Sequence, residues 1–260
     1  MNHRFLTTVL AASALLALTV AVPAEAAVTR VWIAGKTLKV RDITKGNPNE
    51  VDFTNAIVLK VKRDERAAYI ADDWGEVVAG PGCVPITDGE DISAGRPEDL
   101  YLPQYTSYQV KCTFTDLRKV DINTGPGDDF AYVLLSHVPV KIVGGAGDDD
   151  LEYFSCEPPP YFSTSNINGG LGDDYLVGGQ GDDTIVGQRG DDYIEGTCGA
   201  DRIMAGSDGD AIYADDTNWC DTDCPPTTDR INGGAAKGRG ARGRSSAADR
   251  RDFTNPPSSR

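Results

Sequence analysis

The chain has 260 residues and a formal charge of −15, with 29 glycines, six cysteines and two histidines. A length of this order bounds it to one or two domains. So acidic a composition excludes a nucleic-acid binder and calls for either disorder or counter-cations. So few histidines and no CxxC pair exclude the usual zinc sites.

In chain order, the first segment reads as an export signal. Arg4 and His3 form a short basic start, Val9 to Val22 is a mostly apolar run, and Ala24-Glu25-Ala26 is a small-x-small cleavage site. The spacing predicts a signal peptide over 1–26 and a mature chain from Ala27. The run is short for a membrane anchor and is interrupted by Ser13 and Thr19. No later segment is apolar enough to span a bilayer.

Residues 27–114 predict short strands. Val28 to Ile33 alternates, Ala34-Gly35-Lys36 turns, and Thr37 to Val40 alternates again. Val51-Asp52-Phe53, Ala56 to Val61 and Ala68 to Asp72 follow. An acidic loop occupies 80–99, with Cys83 near its start, and Cys112 ends a further strand from Tyr108. This half reads as a β-rich N-terminal region, since a stack of repeats needs an end that shields its core.

A nine-residue period then takes over. Gly169 to Val177, Gly178 to Val186, Gly187 to Glu195, Gly196 to Met204 and Ala205 to Tyr213 are five contiguous copies. The sixth position is always aspartate (Asp174, Asp183, Asp192, Asp201, Asp210). The eighth is always aliphatic (Leu176, Ile185, Ile194, Ile203, Ile212). Thr124 to Asp129 and Gly144 to Leu151 are outlying copies. Fragments at 122–123, 167–168 and 229–234 extend the pattern over 115–234, with insertions near 153–163 and 215–228. A glycine-rich acidic linker has no reason to keep an aliphatic eighth position, nor Tyr175, Tyr193 and Tyr213.

These copies resemble the RTX nonapeptide, the haemolysin-type calcium-binding repeat. The resemblance implies an all-β fold, a right-handed parallel β-roll or β-solenoid with a β-rich N-terminal cap, in which two nonapeptides make one coil. Each copy divides into a glycine turn and a strand of about three residues whose central aliphatic side chain faces inward. Turns eighteen residues apart then stack at roughly 4.8 Å, with Asp174, Asp192 and Asp210 in one column and Asp183 and Asp201 in the other.

The implied ligand is Ca2+, which takes six to eight oxygens in irregular geometry, whereas Mg2+ demands a tight octahedron. The resemblance pairs Asp174 with Asp192, Asp183 with Asp201 and Asp192 with Asp210. Turn carbonyls around Gly170, Gly172, Gly179 and Gly181 complete the ligand set. Asp149 and Asp129 are weaker candidates, having no intact copy eighteen residues away. Departures stand at Gln188 and Arg189, at Thr197 and Cys198, and at Asp208, which replaces the glycine of the fourth position.

The layout also resembles secreted actinobacterial proteins that place a β segment and a cysteine pair before such repeats, which implies a Cys83–Cys112 disulfide. Six cysteines in an exported chain read as disulfides throughout. For the other four, Cys156–Cys198 with Cys220–Cys224 stands beside a link from Cys198 to the 220–224 loop.

The tail 235–260 is Gly/Ser/Ala/Arg-rich and reads as disordered. Residues 233–260 set seven Lys and Arg against Asp249 and Asp252, which leaves residues 27–232 at −20. A basic tail offers contact with an anionic cell envelope, beside the plainer reading of a solvated tail. Nothing predicts a catalytic centre. HExxH and GxSxG are absent, and after the leader His137 is the one histidine, next to Ser136 on an alternating segment. No carboxylate pair stands out as glycosidic. The sequence therefore reads as a secreted, non-enzymatic, monomeric calcium-binding protein, without nucleic-acid or transmembrane partners. A surface or adhesion module and a secreted hydrolase are the alternatives.

Overall fold

The structure, a computed structural model, describes residues 27–44, 54–72, 75–86, 109–154, 163–214, 227–234, 242–244 and 250–252. The 1–26 leader, most of the acidic loop, the 51–53 strand, and Cys156, Cys220 and Cys224 lie outside them.

All regular structure in these residues is β. The N-terminal part contains β1 (Val28–Ala34), β2 (Thr37–Asp42), β3 (Ala56–Lys62), β4 (Ala67–Asp72), β5 (Glu76–Ala79), β6 (Cys83–Pro85) and β7 (Val110–Thr113). Next come β8 (Lys119–Pro126), β9 (Phe130–Leu135), β10 (Val140–Ala146), β11 (Asp150–Tyr153), β12 (Ser165–Leu171) and β13 (Tyr175–Val177). The remainder are β14 (Thr184–Arg189), β15 (Tyr193–Glu195), β16 (Arg202–Ser207), β17 (Ala211–Tyr213), β18 (Arg230–Asn232), β19 (Arg242–Arg244) and β20 (Arg250–Asp252).

Successive strands from β8 onward alternate between two ten-stranded sheets. The first has the order β20-β18-β16-β14-β12-β10-β8-β2-β1-β5, the second β19-β17-β15-β13-β11-β9-β3-β4-β7-β6. Pairing from β8 to β20 is parallel within each sheet, so every coil stacks in register on the one before: Ile122 on Ile142, then Ile167, Ile185, Ile203 and Ile231. The inward side chains of both sheets share one apolar core. At the start of β16 burial alternates, with Arg202 exposed, Ile203 buried and Met204 half-buried.

The N-terminal strands join the same two sheets. The β1–β2 and β3–β4 hairpins are antiparallel, and β2 and β3 continue in parallel onto β8 and β9. The β6–β7 pair closes one edge, with Cys83 directly opposite Cys112 and disulfide-bonded to it. Closing a loop of this length contributes roughly 3 to 4 kcal/mol. Cys198 is disulfide-bonded as well.

Two details depart from the sequence reading. The repeat strands have unequal lengths: three residues in β13, β15 and β17, but six or seven in β12, β14 and β16, where pairing runs on into the glycine turn. The tail, read as disordered, contributes β19 and β20, which pair in parallel with β17 and β18. The open edge of a parallel sheet presents a row of unpaired backbone groups, and even a short segment of any composition can satisfy them.

Candidate metal centre

The turns between the sheets carry the acidic positions. In turns leading from the first sheet to the second, the second and fourth residues have positive φ: Gly145 and Gly147, then Gly170 and Gly172, at 125° to 151°. A side chain there would strike the carbonyl of the coil before, so stacking at strand spacing requires glycine. Where the sequence departs from glycine, the backbone conformation persists. Gln188, Thr197 and Asp208 all hold positive φ, at 89°, 70° and 92°. Their repeats are folded but strained.

The sixth-position aspartates stack in two buried ladders. In the first, the Asn55 N–H donates to Asp129 Oδ1 at 2.7 Å, Asp129 N–H to Asp149, Asp149 N–H to Asp174, Asp174 N–H to Asp192 and Asp192 N–H to Asp210, at 2.9 to 3.2 Å. In the second, the N–H groups of Ser165, Asp183 and Asp201 donate to Asp183, Asp201 and Asp229. All three pairings read from the sequence are therefore adjacent rungs. Asp129 and Asp149 belong to the first ladder although their rungs are 20 and 25 residues apart, because the extra residues leave the coil between strands and the register resumes.

The backbone bond uses one carboxylate oxygen. The second oxygen, Oδ2, of Asp129, Asp149, Asp174, Asp192, Asp201 and Asp210 is buried with no hydrogen-bond donor. Each of these aspartates is at most 2 % exposed. In the Asp149, Asp174 and Asp192 repeats Oδ2 lies beneath the first glycine (Gly144, Gly169 or Gly187), where a Cβ would overlap it.

Burial, reinforced by neighbouring carboxylates, pushes the Asp149 carboxyl up to about 8 and that of Asp201 to about 10. Burial likewise pushes Asp129, Asp174, Asp183 and Asp192 up to about 7, and Asp210 to about 6. Like charges a few ångströms apart in a dry turn favour protonation unless a cation takes up the charge.

The donor set suits a hard, oxygen-seeking cation. Among the described residues no three His, Cys, Asp or Glu side chains converge on one point. What the turns offer is successive carboxylates together with glycine carbonyls, an all-oxygen set of the kind calcium accepts. Bound there, calcium would supply the positive charge that the ladders lack.

The turn at 178–183 is an exception. Gly179 and Gly181 do not share the positive φ of Gly170 and Gly172, and Asp183 Oδ2 accepts from the Gly179 N–H at 2.7 Å. On the coil before, Ser165 rather than an aspartate faces Asp183, its N–H donating to Asp183 Oδ1 at 2.5 Å.

Two features escaped the sequence reading. Asp229 is buried and extends the second ladder across a 28-residue step. Its signal was present: Asp229-Arg230-Ile231 repeats the phase of Asp201-Arg202-Ile203. The other is a fifth-position ladder, in which N–H groups of Asp148, Asp173 and Asp191 donate back to Asp128, Asp148 and Asp173 at 2.7 to 2.8 Å. These bonds are exposed and run in the opposite direction to the buried ones.

Ser136 is buried, and its Oγ donates to the Val138 carbonyl at 2.8 Å within their own turn.

The family model of the RTX calcium-binding nonapeptide repeat, in four copies, matches residues 168–201. No curated protein and no solved structure matches the chain. Residues 168–201 are thus RTX repeats, and the ion of such repeats is calcium.

Proposed function

We propose that this chain, which carries RTX calcium-binding repeats, is a secreted, non-catalytic protein whose acidic coils close into a right-handed parallel β-roll on binding extracellular calcium. Asp129, Asp149, Asp174, Asp192, Asp201 and Asp210, with turn carbonyls, hold the ions, and β1 to β7 cap the roll at its N-terminal end. The observation that carries this reading is the pair of buried ladders, in which one carboxylate oxygen of each of these six aspartates is fixed by a backbone N–H and the other has no donor. Residues committed to such a geometry stabilise the fold only when a cation joins them.

Support for a non-catalytic reading comes from Ser136, held by its own turn, and from a sequence without HExxH or GxSxG motifs. At low calcium the carboxylates repel, which suits passage through a membrane in an open form. At the millimolar levels typical of extracellular calcium, ion binding is coupled to folding.

The test is far-UV circular dichroism of residues 27–260, chelated and then titrated with calcium, with magnesium as control. A cooperative gain of β signal with calcium alone is expected. Asp192→Asn, which alters two rungs, should raise the calcium midpoint at least tenfold, while Asp191→Asn in the exposed ladder should move it less than twofold. A spectrum indifferent to calcium would remove the reading.

A further inference from the structure

The outward face of the first sheet runs against the charge of the rest of the molecule. The chain carries −15 overall, yet Arg30, Lys39, Arg41, Lys141, Arg202 and Arg230 all project from this one face. Strand register fixes the arrangement. Arg30 lies opposite Arg41 on neighbouring strands. Lys39, Asp121, Lys141, Asn166, Thr184, Arg202 and Arg230 then form a single row across successive strands. Their inward neighbours, from Val40 to Ile231, are core residues, so the row must face outward.

Most of this charge is available. Asp121, the one acid in the row, is already engaged by Lys39 and by Arg41 at 2.9 Å. Among the described residues no carboxylate pairs with Arg30, Lys141, Arg202 or Arg230. Arg30, Arg202 and Arg230 are exposed. Between the cations lie the hydroxyl and amide groups of Asn166, Asn168 and Thr184, alongside the half-buried side chains of Val143, Val186 and Met204 on the same face. At one end the Trp32 ring stands beside Arg30, 5.8 Å from its guanidinium to the ring centroid.

We infer that this face binds a linear anionic polysaccharide. The row crosses successive strands in parallel register, and its cations recur at intervals of one to three strands, about 5 to 14 Å. That pattern matches a stiff polymer bearing acidic groups along its length, not a compact anion. The amides and hydroxyls suit sugar hydroxyls, and the indole offers an apolar plane on which a sugar ring can stack. A double-stranded nucleic acid would meet the acidic turn edges that flank this face, with Asp173 and Asp191 exposed along one of them. A narrow chain lying along the row avoids them. The site is separate from the calcium ladders, which lie in the turns.

The experiment measures binding of the full chain in calcium to heparin oligosaccharides, with neutral dextran and duplex DNA as controls. Expected are heparin binding that weakens steeply with salt, none to dextran, and at least tenfold weaker binding to DNA. The triple variant Lys141→Glu, Arg202→Glu, Arg230→Glu should lose at least tenfold in heparin affinity while its calcium-induced circular dichroism is unchanged. Trp32→Ala should lose about threefold without altering the salt slope. Undiminished heparin binding in the triple variant would place the interaction in the basic tail and overturn the inference. Equal binding of DNA, or no heparin binding at all, overturns it too. A triple variant with altered circular dichroism is replaced by Lys141→Gln with Arg202→Gln, for which at least threefold loss is expected and none overturns the inference.

Discussion

Between β2, β8 and β10 on one side and β3 and β9 on the other, most strands contribute two inward side chains to the core: Leu38 and Val40, Val120 and Ile122, Val140 and Ile142, Ile57 and Leu59, Ala131 and Val133. In the repeats each strand contributes one eighth-position aliphatic, as Ile185, Ile194 and Ile212 do. One buried isoleucine is worth about 2 to 3 kcal/mol, while ordering the backbone of a single residue costs about 1 to 2 kcal/mol. The N-terminal strands therefore resemble an ordinary sandwich edge, closed by the Cys83–Cys112 bond. A coil of the repeat buries too little apolar surface to order eighteen residues and depends on its turns. The two regions share their sheets and differ in what holds them together.

Removing calcium should separate the regions most sharply. With a chelator, amides in β14 to β17 are expected to exchange at least a hundredfold faster, while those of β3 and β4 change little, as hydrogen exchange would read. Each site filled at a hundred times its dissociation constant is worth about 2.7 kcal/mol, so loss of two suffices to open the repeats. Equal exchange in both regions would mean that they unfold as one unit.

The reverse cut is the disulfide. Cys83→Ser with Cys112→Ser should lower stability by about 3 kcal/mol, seen as a lower denaturant midpoint for the N-terminal strands. The calcium midpoint of the repeats should be unaffected.

Acidity should act in opposite directions on the chelated and the calcium-bound repeats. The aspartates of the ladders titrate near 6 to 8 or above in the folded state, higher than ordinary carboxylates. Their contribution is therefore fully present below about pH 4 and lost as pH rises through the raised values. Chelated protein should keep its repeat β signal at pH 5 and lose it by pH 8, the opposite of the calcium-bound form, in which protons compete with the ion. A chelated spectrum that strengthens from pH 5 to 8 would contradict the buried ladders.

The smallest effect lies within one turn. Asp208→Gly should raise stability in calcium by about 0.5 to 1 kcal/mol, since the cost of positive φ at a non-glycine residue, about 1 to 2 kcal/mol, is partly offset by the larger entropy that glycine loses. A thermal melt of the calcium form checks it.

The nine-residue period alone determined much of this protein. Aspartate at every sixth position and an aliphatic at every eighth fixed which side chains face the core, and the resemblance to the RTX repeat that this pattern carries implied the two columns and the calcium ion, because stacking in register repeats each position's environment. The period lost its grip wherever register was interrupted. Asp129, Asp149 and Asp229 could not be joined to their ladders by counting, since insertions change the spacing without changing the coil, and parallel pairing alone showed where the phase resumed. Gly179 looked equivalent to Gly170 in sequence, yet its N–H closes on the aspartate of its own repeat. The basic row was present as scattered Lys and Arg, and only the parallel register brought residues 39, 141, 202 and 230 onto one face. A local period specifies a position's environment within its coil, whereas which coils are neighbours is decided by long-range pairing, which the sequence encodes only through the whole fold.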